Sequence, residues 1–428
     1  MRTVISDVAC TLCGCVCDDL AVETAGDTVV QIERACPRAE DWFRQLGKDA
    51  PPVARVAGVE VPLEAALARA AALLGEARYP LIYGLSRSST PGQRAAVRLA
   101  DQLGAVIDTT ASRCHAPSIM ALQEIGESTC SLGESRHRAD VFVYWGSNPV
   151  VSHPRHLERY GSDATSSFLS DAPAARQLIV IDTQATETTA RADLFVRVAP
   201  QRDFELIWAL RCLLHNLPLA EAPDCGVPAE EIRALAERLR NCRTGVVFFG
   251  LGLTRSPTGH RTVEALLRLV TDLNQHCRFY ARRMRVYGDV AGADSVLCWQ
   301  TGYPFSVDLA RGYPRYNPGE YSANDVLRRG EVDACLLVGS EGLAPLDPEA
   351  LAHLREIPVV ALDYPGVPTL RPGDVQFTTA IYGVHAAGTA YRMDEIPVPL
   401  RAFLPSPYPT DHDILDELGR RVSRRVPR

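Results

Sequence analysis

Gly245-Val-Val-Phe-Phe-Gly-Leu-Gly252 reads as an apolar strand that ends in a glycine turn and opens into a helix. Tyr83-Gly-Leu-Ser86, at the end of the strand Pro80–Gly84, repeats it, and a helix from Pro91 to Leu103 follows. Working outward, the likeness continues. Ala334-Cys-Leu-Leu-Val-Gly339-Ser340 parallels Asp140-Val-Phe-Val-Tyr-Trp-Gly146-Ser147. Val359-Val-Ala-Leu-Asp363 parallels Ile179-Val-Ile-Asp182, and Asp374-Val-Gln-Phe parallels Asp193-Leu-Phe-Val. The offsets run at roughly 165–195 residues, long enough for a whole repeated domain. Short apolar strands alternating with helices imply parallel strands covered on both faces. The expected fold class is therefore α/β, with two similar doubly wound, Rossmann-like domains at 56–240 and 241–395. A cysteine-rich lobe (1–55) precedes them, and a proline- and arginine-rich tail (396–428) follows, expected on the surface or on a partner subunit.

The 428 residues suffice for two or three domains, and 46% hydrophobic with 23% charged is ordinary for a globular chain. A net charge of −7 gives no reason to expect nucleic acid or an anionic membrane. Lys48 stands alone among many arginines. With no leader-like start and no long apolar run, the expected home is the cytoplasm, where clustered cysteines mean metal or redox work rather than disulfides. Of the 13 cysteines, Cys130, Cys212, Cys225, Cys242, Cys277, Cys298 and Cys335 are scattered and read as small core residues.

The others are not scattered. Cys10-Thr-Leu-Cys13-Gly-Cys15-Val-Cys17 is followed, after a hairpin with its turn at Gly26-Asp27, by Cys36. C-x2-C-x3-C plus a fourth thiol suits a [4Fe–4S] cluster or an all-cysteine zinc site, and spacing alone does not choose. Cys15 is surplus, and Arg38 reads either as a cation beside the cluster or as a solvated arginine.

Other candidate stretches lie at strand ends. Ser112-Arg-Cys114-His115-Ala-Pro-Ser118 follows the strand near Val106 and suits a thiolate metal ligand with an imidazole beside it as proton relay. Gly146-Ser-Asn148-Pro leaves backbone N–H groups open to a phosphate. Asp182, with the threonines that follow it, suits a ribose or a guanine N–H. Arg282-Arg-Met-Arg285 either binds an anion or forms a solvated edge.

Together these residues resemble the B subunit of formylmethanofuran dehydrogenase, a short relative of the molybdopterin oxidoreductases. The resemblance is carried also by Trp299-Gln-Thr-Gly-Tyr-Pro-Phe305, Arg311-Gly-Tyr-Pro-Arg-Tyr-Asn-Pro-Gly-Glu-Tyr-Ser322 and Gly388-Thr-Ala-Tyr-Arg-Met-Asp394. It implies an N-terminal [4Fe–4S] cluster on Cys10, Cys13, Cys17 and Cys36. It also implies a tungsten or molybdenum bis(pyranopterin guanine dinucleotide) with Cys114 as thiolate ligand, His115 beside the metal and Arg285 as active-site cation. Gly146, Asn148, Asp182, Thr189, Asp193 and Asp203 would hold one pterin's guanosine diphosphate, and Gly339 and Asp363 would face the second pterin. The implied activity is reversible CO2/formate redox chemistry feeding a methanofuran-type carrier. The implied partners are an amidohydrolase-like A subunit, a C subunit, and a formyltransferase or small β-domain D subunit in place of the β-rich domain this chain lacks. The alternative is a non-redox structural subunit of a formyltransferase/hydrolase complex without metallopterin. Two positions depart from the family pattern: Val286-Tyr287 where Gly-His is common, and Ala39 where Gly is usual.

Overall fold

The computed structural model describes residues 2–219, 223–256, 258–367 and 372–423; residues 424–428 of the expected tail lie outside that description. The N-terminal strands β1 (Arg2–Val8), β2 (Leu20–Ala25) and β3 (Thr28–Glu33) form an antiparallel sheet of their own. The hairpin turn at Gly26 has φ +67°, the left-handed region that glycine enters without a Cβ penalty. The strands that follow are β4 (Ala54–Val56), β5 (Val59–Glu60), β6 (Pro80–Gly84), β7 (Val106–Thr109), β8 (Val141–Trp145), β9 (Gln177–Asp182), β10 (Leu194–Arg197), β11 (Thr244–Phe249), β12 (Arg278–Arg283), β13 (Val307–Asp308), β14 (Arg315–Tyr316), β15 (Ala334–Val338), β16 (Val359–Asp363), β17 (Val375–Thr378), β18 (Gly388–Tyr391) and β19 (Pro397–Leu400).

The chain divides into two compact units, Met1–Arg113 with Tyr287–Arg428, and Cys114–Val286. The first unit has a nine-stranded sheet in the order β14-β13-β7-β6-β15-β16-β17-β4-β5, and the second a five-stranded sheet in the order β10-β9-β8-β11-β12. All five strands of the second sheet are parallel, as are β7, β6, β15, β16 and β17 of the first. Both faces of the first sheet are covered. Ile82, Ile107, Leu336, Val338, Val360 and Leu362 enter one core, while Leu81, Val106, Cys335, Leu337, Val359 and Ala361 enter the other. That alternation explains why these strands read as unbroken apolar runs.

The repeat is present, but the boundaries expected at 56–240 and 241–395 are not. The order β7-β6-β15-β16-β17 matches β12-β11-β8-β9-β10 strand for strand. Each sheet thus takes two strands from one repeat and three from the other. Carboxylates fix this arrangement twice over. Asp140 accepts hydrogen bonds from the backbone N–H groups of Arg243 (3.1 Å) and Thr244 (2.9 Å), and Asp333 accepts those of Arg78 (2.7 Å) and Tyr79 (2.8 Å). Asp193 accepts from Leu178 N (2.7 Å), and Asp374 from Val359 N (2.8 Å). Each aspartate precedes its strand, so all four clamp the amino ends of their sheets. Hydrogen bonds to a charged acceptor each contribute about 1.5–3 kcal/mol.

The tail is also corrected. The helix Asp411–Arg421 opens on a capping box between Thr410 and Asp413 and buries Ile414, Leu415 and Leu418 in the core of the first unit. Of the seven scattered cysteines, Cys130, Cys225 and Cys335 are buried, Cys212, Cys242 and Cys277 are half-buried, and Cys298 is exposed. No helix among the described residues is long and apolar enough to cross a membrane.

Candidate functional site

In the first unit the cysteine loop closes on itself through Cys10 N to Cys17 O (2.8 Å) and Val16 N to Cys13 O (3.0 Å). Cys10, Cys15 and Cys17 are buried, and Cys36 caps the helix Pro37–Gln45. Burial pushes the Cys10 thiol well up, and Cys13, Cys17 and Cys36 push it further, so these three surround it electrostatically. Among the described residues no three His, Cys, Asp or Glu side chains stand together as a site for a single ion. Four thiols on this loop and at the cap of the following helix are donors of the kind that hold either an iron–sulfur cluster or a zinc ion.

Arg38 is exposed. The buried cation beside this loop is Arg87, for which no role was read in the sequence. It pairs with Glu341, donates to the Thr11 carbonyl (2.8 Å) and stands 5.6 Å from the Tyr287 ring centroid. Burial works against its charge, but Tyr364, Glu341 and Tyr382 more than offset that. Burial in turn raises Tyr364 to about 12. A Cβ on Gly288 would overlap the Thr11 carbonyl, so the chain around Tyr287 lies directly against the cysteine loop. At the carboxyl end of this unit's sheet, Gly339 has φ +85° and Asp363 accepts from Ser340 N (2.8 Å) and Ser340 Oγ (2.7 Å). Burial raises the Asp363 carboxyl. A cavity of about 590 Å³ opens there, lined by Arg55, Asp363, Tyr364, Gly366, Gln376 and Thr378, within the size range of small-ligand sites.

In the second unit Cys114 is half-buried and its carbonyl accepts from Thr254 Oγ1 (3.1 Å). His115 precedes the helix Ala116–Ile125 and is fully buried. Its Nε2 lies 3.1 Å from the Met284 carbonyl and its Nδ1 2.9 Å from Ser118 Oγ. A carbonyl can only accept, so Nε2 carries the proton and Nδ1 accepts from the serine. Burial, reinforced by Arg285 and Arg283, holds the imidazole neutral. Both ring nitrogens are thus engaged, one with the serine of its own turn and one with the Met284 carbonyl. His153 repeats the device one residue on: its Nε2 donates to the Arg285 carbonyl (2.6 Å). Two buried histidines thus fix the Met284–Arg285 peptide. Arg285 is 2% exposed. Its neighbours are structural: Arg283 pairs with Glu127 at 3.3 Å, and Arg282 donates to Thr129 at 2.7 Å.

The other predicted residues of this unit gather at the carboxyl end of its sheet, with one exception. Gly146 has φ +56°, and a Cβ there would stand 2.9 Å from Gly252 Cα. Asn148 donates to Glu187 (2.6 Å) and accepts from Thr188 (2.7 Å), tying the β8 turn to the threonine run. Thr189 Oγ1 donates to the Thr186 carbonyl (2.7 Å). Asp203 accepts from Trp145 Nε1 (2.8 Å); burial raises its carboxyl, and nearby Asp182 adds to the rise. Asp182, raised by burial, accepts from Thr183 N (2.7 Å). Two carboxylates, a glycine turn and backbone N–H groups at strand carboxyl ends can hold a nucleotide's ribose, base and phosphates. Asp193 is the exception, because it clamps the opposite end of the sheet.

No family model matches the chain. Solved structures that share its fold include the following two. The formyltransferase/hydrolase complex (FhcABCD) from Methylorubrum extorquens, in complex with methylofuran, matches with a TM-score of 0.72 and 25% identity over 86% of this chain and 98% of that one. Acetylene hydratase from Pelobacter acetylenicus matches with a TM-score of 0.71 and 14% identity over 97% and 69%. The fold is thus the one these two proteins share. In sequence, the chain is 39% identical to the B subunit of the tungsten-containing formylmethanofuran dehydrogenase 2 of Methanocaldococcus jannaschii, over 100% of each. The chain belongs to the family of formylmethanofuran dehydrogenase B subunits.

Proposed function

We propose that this chain is the redox subunit of a formylmethanofuran dehydrogenase-type complex, interconverting CO2 and formate for formyl transfer to a methanofuran-type amine. A tungsten or molybdenum bis(pyranopterin guanine dinucleotide), when bound, supplies the two-electron exchange with CO2, and a [4Fe–4S] cluster carries the electrons. Cys10, Cys13, Cys17 and Cys36 are the thiolates for the cluster, and Cys114 is the thiolate for tungsten or molybdenum. Gly146, Asn148, Asp182, Thr189 and Asp203 hold one nucleotide, and Gly339 and Asp363 the other. Arg285 offers a buried guanidinium to an anionic oxygen, which in a low-dielectric site is worth more than in water. His115 and His153 hold Arg285's backbone in place through the carbonyls of Met284 and Arg285. The amidohydrolase-like A, the C and the D subunits are the expected partners.

The single observation that carries this reading is the retained Cys114 turn. A half-buried thiol is followed by a histidine whose buried ring is locked onto the segment bearing Arg285. Elemental analysis and pterin extraction of the anaerobically purified complex test it. One tungsten or molybdenum, two pterins and four irons per chain are expected, with Cys114→Ala keeping the irons and losing the tungsten or molybdenum. Absence of both metal and pterin would overturn the proposal and leave the non-redox structural role.

A further inference from the structure

Cys242 ends the turn after the helix Ala229–Arg240, and Cys277 the turn after the helix Gly259–Leu273. They precede β11 and β12, which are neighbours paired from Thr244 with Arg278 onward. Their sulfurs are 3.5 Å apart, and both thiols point at one carbonyl, that of Leu239, at 3.2 Å from Cys242 and 3.4 Å from Cys277. Neither is sealed in the core: both are half-buried. Cys242 also lines an open cavity of about 350 Å³ with Asp140, Gln177, Glu237, Arg238 and Asn241. Nothing in the reading of the nucleotide or metal sites uses either residue.

We propose that Cys242 and Cys277 are a reversible dithiol–disulfide pair, oxidised by a small disulfide that enters through the cavity. Forming the bond requires the sulfurs to close from 3.5 Å to about 2.05 Å, a movement that side-chain rotation and a slight shift of two turns can supply. One sulfur attacks the external disulfide, giving a mixed disulfide and releasing one small thiol. The second attacks the mixed disulfide and releases the other. Two protein thiols lose two electrons and two protons, and the small disulfide gains both. A hydrogen bond from the Cys242 thiol to the Cys277 sulfur favours Cys277 as the attacking thiolate. The bond closes a loop of about 35 residues and joins the amino ends of β11 and β12, which should raise the melting midpoint by several degrees.

The test is differential alkylation and non-reducing peptide mapping of the full chain before and after incubation with glutathione disulfide. The expected result is a Cys242–Cys277 linked peptide, two glutathiones released per link, and recovery of both thiols with dithiothreitol. Cys242→Ser should leave Cys277 with a lasting glutathione adduct and Cys277→Ser the converse, neither with the melting shift. Wild-type protein in which both thiols remain alkylatable, or in which either links to a different cysteine, would overturn the proposal. Because the first readout uses the wild-type chain, a poorly folding variant leaves the test intact.

Discussion

Removing Arg87 should loosen the cysteine loop and the end of β15 together. Its side chain is 8% exposed and that of its partner Glu341 20%. Arg87→Met would leave a largely buried carboxylate unpaired, a change that costs about 3–5 kcal/mol in comparable pairs. The lost hydrogen bond to the Thr11 carbonyl adds about 1 kcal/mol. Because Glu341 keeps some solvent contact, the lower half of the range applies to the ion pair, so with the lost hydrogen bond the expected loss is about 4–5 kcal/mol. In urea that is a fall in the unfolding midpoint of about 1–2 M. In the double variant Arg87→Met with Glu341→Gln, the stranded charge is gone, and about half of the loss should return. Hydrogen exchange at residues 10–17 should quicken in both, because the tether to Thr11 is missing in each. A single variant within 1 kcal/mol of wild type, or a double variant that simply adds the two single losses, would refute the reasoning.

Gly252→Ala places a Cβ 2.7 Å from Gly146 Cα and 3.0 Å from its carbonyl oxygen, backbone that cannot rotate away. It should lower the stability of the second unit by about 1–3 kcal/mol, read by thermal melting. Asp193→Ala should lower stability by about 1.5–3 kcal/mol and leave pterin content per folded chain unchanged, whereas Asp182→Ala should reduce pterin content and leave the melt nearly unchanged. Extraction of pterin beside calorimetry checks both. Burial, acting against N–H donors from Ala323, Ser306 and Thr109, raises Asp108 from 3.8 to about 7. The folded state therefore keeps a proton that the unfolded state releases. This contribution is fully present below about 3.8 and lost as pH rises to about 7, an upper limit of about 4 kcal/mol. Asp108→Asn should flatten the fall in stability between about pH 4 and 7; an unchanged slope would show that other groups cause it.

The strand ends that carry most of the candidate residues were legible because apolar runs stop there. Gly146, Asp182, Gly339 and Asp363 all follow their runs, and all lie at strand carboxyl ends. Asp193 precedes its run, and that polarity marks it as an amino-end clamp. The spacing of Ile414, Leu415 and Leu418 behind Thr410-Asp-His-Asp413 likewise carried a readable helix under the composition of a tail. The exchange of strands between repeats was not readable. Fully apolar β6, β8, β11 and β15 are interchangeable by pattern, and the pairing is chosen by aspartates such as Asp140 and Asp333 that meet partners about 100 and 250 residues away. The locked ring of His115 was hidden for the same reason, since Met284 is distant in sequence.

The exchanged strands also set an order of manufacture. The second unit is one contiguous stretch, Cys114–Val286, and can close as soon as β12 has left the ribosome. The first unit cannot: β6 needs β15 beside it, and β15 begins at Ala334. At 5–20 residues per second, β6 and β7 wait on the order of 10–50 s with an open edge before their partner arrives. The cysteine loop waits with them, because Glu341, which holds Arg87 against Thr11, lies beyond β15. The loop Cys10–Cys17 therefore gains this tether only after Glu341 has been made, late in synthesis.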